Sequence, residues 1–246
     1  MISHKTPAAS SNVILASLLS TGLRPSFHTE VKMSWILMVL SSSIGKKYIM
    51  AVSGACLSFF LLAHLIGNSV SFWGKEAYNS YASHLHSLGF LIYILEILLL
   101  LLFLVHIVMG ITLFIENLSA RPNRYAVKEK ERNWNASTMP YTGILILLFL
   151  VVHLVNFHFI TKTVSTAELV KTTLSNPLIA SFYLLSLSGL TLHASHGFWS
   201  LFQSLGINHQ KYNKLLQLGG LAMAVIIGTT FILIPLLIVT TDSFLQ

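Results

Sequence analysis

Leu98–Asn117, LLLLLFLVHIVMGITLFIEN, is a continuous apolar run broken near its middle by one imidazole, His106. About 20 apolar residues suffice to cross the roughly 30 Å hydrocarbon core of a bilayer as a helix. An ionisable side chain at that depth is costly unless something binds it. Three further apolar runs repeat the feature: His64 in FFLLAHLIGN, His153 in LFLVVHLVNF and His196 in LHASHGFWSL. Four histidines on four segments suggest two pairs.

The whole chain fits this reading. Of its 246 residues 54% are hydrophobic and 9% charged, with a mean hydropathy of +0.73, whereas soluble domains carry about 25% charged residues. The class expected is an all-α membrane protein. Open strands cannot satisfy their backbone groups in lipid, and the runs do not alternate as barrel strands do. The net charge of +7 does not point to nucleic acid, because the basic residues sit in loops between apolar runs. The single Cys56 cannot form an internal disulfide and reads as a small buried hydrophobe.

Five spans are expected, at about Ile49–Trp73, Gly89–Asn117, Thr138–Ile160, Leu178–Leu205 and Leu216–Val239. Residues 43–246 are read as one five-helix transmembrane domain, and 1–42 as an N-terminal segment. Its apolar patch Val13–Leu19 is too short to span, and no cleavage site follows, so no signal peptide is expected. Ser34–Leu40 suits a helix lying along the membrane surface. Pro140 is placed in the first turn of the third span and Pro177 just ahead of the fourth, both tolerated positions. Pro235 should kink the end of the fifth.

Loop charge orients the spans. The N-terminal side and the loops after the second and fourth spans hold 12 Lys and Arg, against 3 on the other face (Lys75, Lys162 and Lys171). Positive charge is retained on the cytoplasmic side, which puts the N-terminus inside and the C-terminus outside. At 1.5 Å rise per residue, His64 and His153 each lie roughly 22 Å from the cytoplasmic ends of their spans, His106 roughly 16 Å and His196 roughly 14 Å. The depths pair His64 with His153 and His106 with His196. Each pair can supply the two axial ligands of a b-type haem, one toward the outside and one toward the cytoplasm. Four of the five helices then form a dihaem bundle, and the fifth braces it. By spacing alone His193, one turn before His196, is an equal candidate. Gly67, Gly110, Gly189 and Gly197 lie close to ligands and can admit a macrocycle or close helix packing. Asn68, four after His64, can bond near a haem or to another helix.

Other polar groups collect in the connection Trp73–His86. Trp73, Tyr78, Tyr81, His84 and His86, with Glu96 a little deeper, can bind a quinone near the outer pair or form an ordinary polar loop. Glu96 can relay protons or make a structural hydrogen bond. His158 reads as interfacial. The competing quinone position is cytoplasmic, near Ser43 or Lys47.

SSIGKK at Ser42–Lys47, LLAHLIGN, SARP at Ser119–Pro122, LLFLVVHLVNFHF and His196-Gly197 followed by FQSLG at Phe202–Gly206 resemble one family. It is the dihaem cytochrome b membrane anchor of succinate:quinone oxidoreductases and fumarate reductases, in the form with a single five-helix polypeptide. The resemblance covers roughly 43–240. It implies ligands at His64, His106, His153 and His196, preferring His196 to His193 because the ligand precedes a glycine. It implies two haem b and a quinone substrate, menaquinone by likeness to dihaem members. It further implies a flavoprotein subunit with FAD and an iron–sulfur subunit on the cytoplasmic face of a bacterial inner membrane, in a complex that can itself oligomerise. The chain would be the electron-transfer subunit of an enzyme of the respiratory chain and tricarboxylic acid cycle, with no part in succinate chemistry. It has none of the cysteine motifs that hold iron–sulfur clusters. The rival readings are a dihaem anchor of a formate dehydrogenase or hydrogenase, which would lack SSIGKK and SARP, and a haem-free transporter, which would need broken helices or polar groups meeting at mid-membrane.

Overall fold

The computed structural model describes residues 38, 39, 41–120, 134–160, 163–207, 209–241 and 243–245. The chain divides into two units, Met1–Ser42 and Ser43–Gln246. Nearly all of the first, including most of the expected surface helix at 34–40, falls outside the described residues, as does the basic loop 121–133.

The second unit is helical, with no strand among the described residues. In chain order it contains α1 (Ser43–Ser69), a 3-10 turn (Val70–Trp73), α2 (Lys75–Ser87), α3 (Phe90–Ser119), α4 (Trp134–Phe157), α5 (Thr166–Leu174), α6 (Pro177–Ser204) and α7 (Gln210–Thr240). Among the described residues five stretches are long and apolar enough to cross a membrane: Ser43–Trp73, Phe90–Ser119, Thr138–Phe157, Pro177–Ser204 and Gln210–Thr240. These are the five expected spans. The ends differ where lysines, serines and asparagines, read as loop, continue the helix as its polar ends.

Local chemistry explains most boundaries. Asn176 caps α6, its side chain accepting from the backbone N–H of Leu178 at 2.9 Å, and Pro177 follows as the first helical residue. Pro at that position forfeits no hydrogen bond. Pro140 lies inside α4 rather than in its first turn, because the helix begins at Trp134. Helix α7 runs on past Pro235 to Thr240. Sequence reading missed two short helices, α2 and α5, in the connections. Ser165 caps α5 by accepting from Glu168 N–H, and this S-x-x-E signature was legible in the sequence.

Helix α6 is central, packing on α7, α4 and α1. Two clusters form the core. One joins Tyr78, Ala167, Leu174, Tyr183, Ile234 and Ile238, and the other Leu65, Leu187, Ile227 and Phe231. Helix α3 buries none of its residues and packs mainly along α1. It is apolar all round, as lipid contact demands. Lys46 and Glu116 form an ion pair that ties the start of α1 to the end of α3. Cys56 is not buried. It is exposed on a face of α1 shared with the exposed Val52 and Phe59, where a thiol is apolar enough for lipid.

The α6–α7 contact depends on Gly228. A Cβ there would lie 1.9 Å from Thr191 Oγ1 and 2.9 Å from Thr191 Cβ, whereas at Gly219 it would meet nothing within 4 Å. Gly228→Ala should therefore push the helices apart and lower stability by about 1–3 kcal/mol. Gly219→Ala should be near neutral. Thermal unfolding of the two detergent-solubilised variants checks this, and equal melting temperatures would contradict it.

Candidate functional site

The intramembrane histidines come together in two pairs. The rings of His64 (α1) and His153 (α4) have centroids 5.9 Å apart and are nearly perpendicular, at 86°. Those of His106 (α3) and His193 (α6) have centroids 6.5 Å apart at 67°. The ring beside His106 is thus His193's. His196 lies one turn further along α6 and is half-buried. Helix α6 presents both residues at the spacing of a single turn, so only the tertiary fold distinguishes them.

The surroundings of the pairs differ. Phe60 stacks on His64 at 5.5 Å and 18°, and Phe231 of α7 approaches it at 5.8 Å. Phe149, Phe157 and Tyr183 surround His153 at 5.2–6.2 Å. His153 Nδ1 is buried without a hydrogen-bond partner. Asn68 donates to the backbone carbonyl of His64 at 2.8 Å, its Nδ2 lies 3.4 Å from His64 Nε2, and its Oδ1 accepts from Tyr78 OH at 2.9 Å. This chain reaches from α2, outside the spans, to His64. At the other pair, His106 Nδ1 lies 3.1 Å from Ser53 Oγ and His193 Nδ1 lies 3.2 Å from Thr142 Oγ1.

Haem is the group these pairs fit. Two imidazoles sharing one iron, each through a nitrogen about 2 Å from the metal, hold their ring centres roughly 6 Å apart. Both observed separations allow this, and they also fall in the ordinary range of packed rings. The His153 ring, one of whose nitrogens is buried without a hydrogen-bond partner, lacks the bonds a buried imidazole ordinarily makes. Among the described residues no three His, Cys, Asp or Glu gather as a metal cage. Among the glycines noted in the sequence, Gly67 and Gly189 serve close packing. A Cβ at Gly67 would lie 2.4 Å from Tyr81 OH, and one at Gly189 2.8 Å from Leu145 Cδ2. At Gly197 a Cβ would meet nothing within 4 Å.

The quinone candidates do not converge. Trp73 is exposed, and Tyr81 packs over Gly67. His84 and His86 each place Nδ1 within 2.7 Å of the carbonyl four residues back, those of Ser80 and Ala82. Glu96 of α3 pairs with His158, just past the end of α4, Oε1 to Nδ1 at 3.6 Å. A cavity of about 270 Å³ between α2 and the start of α5 is lined by Asn79, Ala82, Ser83, His86, Val164, Ser165 and Thr166. Of the quinone candidates His86 alone reaches it. Asn79 holds its two walls together by accepting from Ala167 N–H at 2.9 Å.

Five membrane-spanning helices enclosing paired imidazoles define a class, the multi-pass helical cytochrome b. No family model matches the chain, and no solved structure matches it. Over 154 residues, 61% of this chain and 74% of the relative, it is 30% identical to the succinate dehydrogenase cytochrome b558 subunit of Bacillus subtilis (strain 168). The chain belongs to the family of succinate dehydrogenase cytochrome b subunits.

Burial, and then the neighbouring Tyr81, push the Tyr78 phenol up to about 12. An unfolded chain's phenol ionises near pH 10, so the folded state loses stability as pH rises from about 10 to about 12. Tyr78→Phe should flatten that alkaline decline. At neutral pH it should cost about 0.5–1.5 kcal/mol through the lost bond to Asn68. Unfolding measured across this pH range checks both effects, and an unaltered alkaline slope would contradict the first.

Proposed function

We propose that this chain carries electrons across the membrane through two bis-histidine b haems, between a quinone pool and the flavoprotein and iron–sulfur subunits of a succinate dehydrogenase or fumarate reductase. The observation that carries the reading is the pair of imidazole pairs, on four different spans, at a separation one shared iron allows. The cytochrome b name of the Bacillus relative supports it independently. We assign His64 and His153 to one haem and His106 and His193 to the other. The resemblance favoured His196 as the fourth ligand. The 6.5 Å ring separation and the bond from His193 to Thr142 favour His193.

When bound, haem iron supplies one-electron chemistry that no side chain here can perform. The chain's own residues hold and tune it. Phe60, Phe149, Phe157 and Phe231 exclude water from the His64–His153 pair. That favours the less charged state of the centre and shields it from side reactions. Positive charge in the loops orients the molecule with its N-terminus in the bacterial cytoplasm and its C-terminus outside. The start of α1 then faces the iron–sulfur subunit. The outer pair lies toward α2, and we place the quinone there. The Tyr78–Asn68 chain offers a polar path from α2 toward His64. The cavity beside His86 is near the lower end of small-molecule pockets, roughly 300 Å³.

Purified with its partners, the complex should hold two haems per chain and reduce quinone with succinate, or fumarate with quinol. A reduced-minus-oxidised spectrum without b-type haem would end this reading. His193→Ala should lose one haem of the two and His196→Ala should keep both, as measured by haem extraction per chain. The reverse result would return the ligand to His196. His64→Ala should remove the other haem.

A further inference from the structure

We propose that Ser53 and Thr142 are positioning residues, whose hydroxyls accept the Nδ1–H of His106 and His193 and so fix the tautomer that presents Nε2 to iron. The proposal rests on the haem reading above.

The hydroxyl protons are already committed. Ser53 Oγ lies 3.1 Å from the Met50 carbonyl, and Thr142 Oγ1 lies 3.1 Å from those of both Thr138 and Met139. A hydroxyl has one proton and two lone pairs. With the proton given to the helix backbone, the oxygen accepts from the imidazole, alongside the Met50 and Met139 carbonyls to which the His106 and His193 rings also hydrogen-bond, and this puts the imidazole proton on Nδ1. The lone pair then resides on Nε2. Which ring nitrogen is metallated is set by the bond the other one makes. Both hydroxyls are buried, Ser53 at 3% and Thr142 at 8% exposure, so water does not compete for the bond.

The residue after each hydroxyl is glycine. A Cβ at Gly54 would lie 3.1 Å from His106 Cε1, and one at Gly143 would lie 3.6 Å from His193 Cε1. Each ring edge therefore rests against a hydroxyl–glycine step of the neighbouring helix. The step recurs at one place in two helices. Ser53-Gly54 stands eleven residues before His64 in α1, and Thr142-Gly143 eleven residues before His153 in α4. Eleven residues are three turns, roughly 16 Å, which keeps both features on one face. So α1 and α4 are built alike: each supplies one ligand to the outer pair and one clamp to the inner pair. His153 of the outer pair has no such clamp, its Nδ1 being buried without a partner.

A hydrogen bond from the distal N–H makes a ligating imidazole more basic, and a more basic ligand favours ferric iron. Removing it should raise the midpoint potential of the inner haem. The test is redox titration with electron paramagnetic resonance of the purified complex, in wild type, Thr142→Val, Thr142→Ser and Ser53→Ala. The inner haem is identified as the one absent from His106→Ala. We expect Thr142→Val and Ser53→Ala to shift the inner haem to higher potential and move its low-spin signal, with the outer haem unchanged. Thr142→Ser, which keeps the hydroxyl, should match wild type. Loss of the inner haem from Thr142→Val but not from Thr142→Ser supports the proposal equally. The proposal is overturned if both hydroxyl-deleted variants keep two haems at wild-type potentials. It is also overturned if Thr142→Ser behaves as Thr142→Val does, or if the outer haem moves as far as the inner one. A wild type lacking two low-spin haems would overturn the haem reading and this inference with it. Two normal haems with unmoved variants would overturn this inference alone.

Discussion

A neutral imidazole has one donor and one acceptor, and the interior of a bilayer offers neither partner. That constraint shapes most of what is specific in this molecule. Any partner for the four paired histidines has to come from inside the protein. Their rings are brought edge to edge from different helices, with hydroxyls or aromatic rings closing the remaining sides. The rest of the spanning surface can be apolar and nearly interchangeable, because lipid asks only that it bury no unpaired polar group.

The helices divide this work unequally. Helix α6 lies at the centre and contributes buried residues on several sides. Helix α3 buries none and earns its place through His106 and its packing on α1. Helices α1 and α4 each touch both imidazole pairs. Helix α7 carries no paired histidine, yet its Phe231 closes one side of His64 and its Gly228 receives Thr191. Outside the spans the rules change. Helices α2 and α5 are short and joined by Asn79, since their polar groups can be shared with water.

The two pairs are chemically distinct, and this bears on the proposed path of electrons. The His64–His153 pair sits among aromatic rings, with one ring nitrogen unpartnered and an amide–phenol chain leading out to α2. The His106–His193 pair has a hydroxyl at each Nδ1. Ligand basicity and burial are two of the levers by which a protein sets a haem potential. Two centres built from the same ligand type can therefore hold electrons with different strength.

The class and the five spans were legible in the sequence, because a span needs only length and continuous apolarity, and both are local. Four histidines in four such runs also declared themselves, since a polar group in an apolar run is conspicuous wherever the run packs. The capping boundary of α5 was legible too, in Ser165 and Glu168, though it went unread. Other features depended on contacts between helices. Residues three apart share a helix face, so spacing could not separate His193 from His196, and only the approach of α3 to α6 brings His193 beside His106. Gly67 and Gly189 suited a macrocycle or a tight helix contact equally well until Tyr81 and Leu145 were found against them. Cys56 read as buried because apolarity in a membrane chain marks lipid and core alike. Ser53 and Thr142 gave no sign of a role, since a hydroxyl in a spanning helix can satisfy itself on its own backbone, and what it accepts in return comes from another helix.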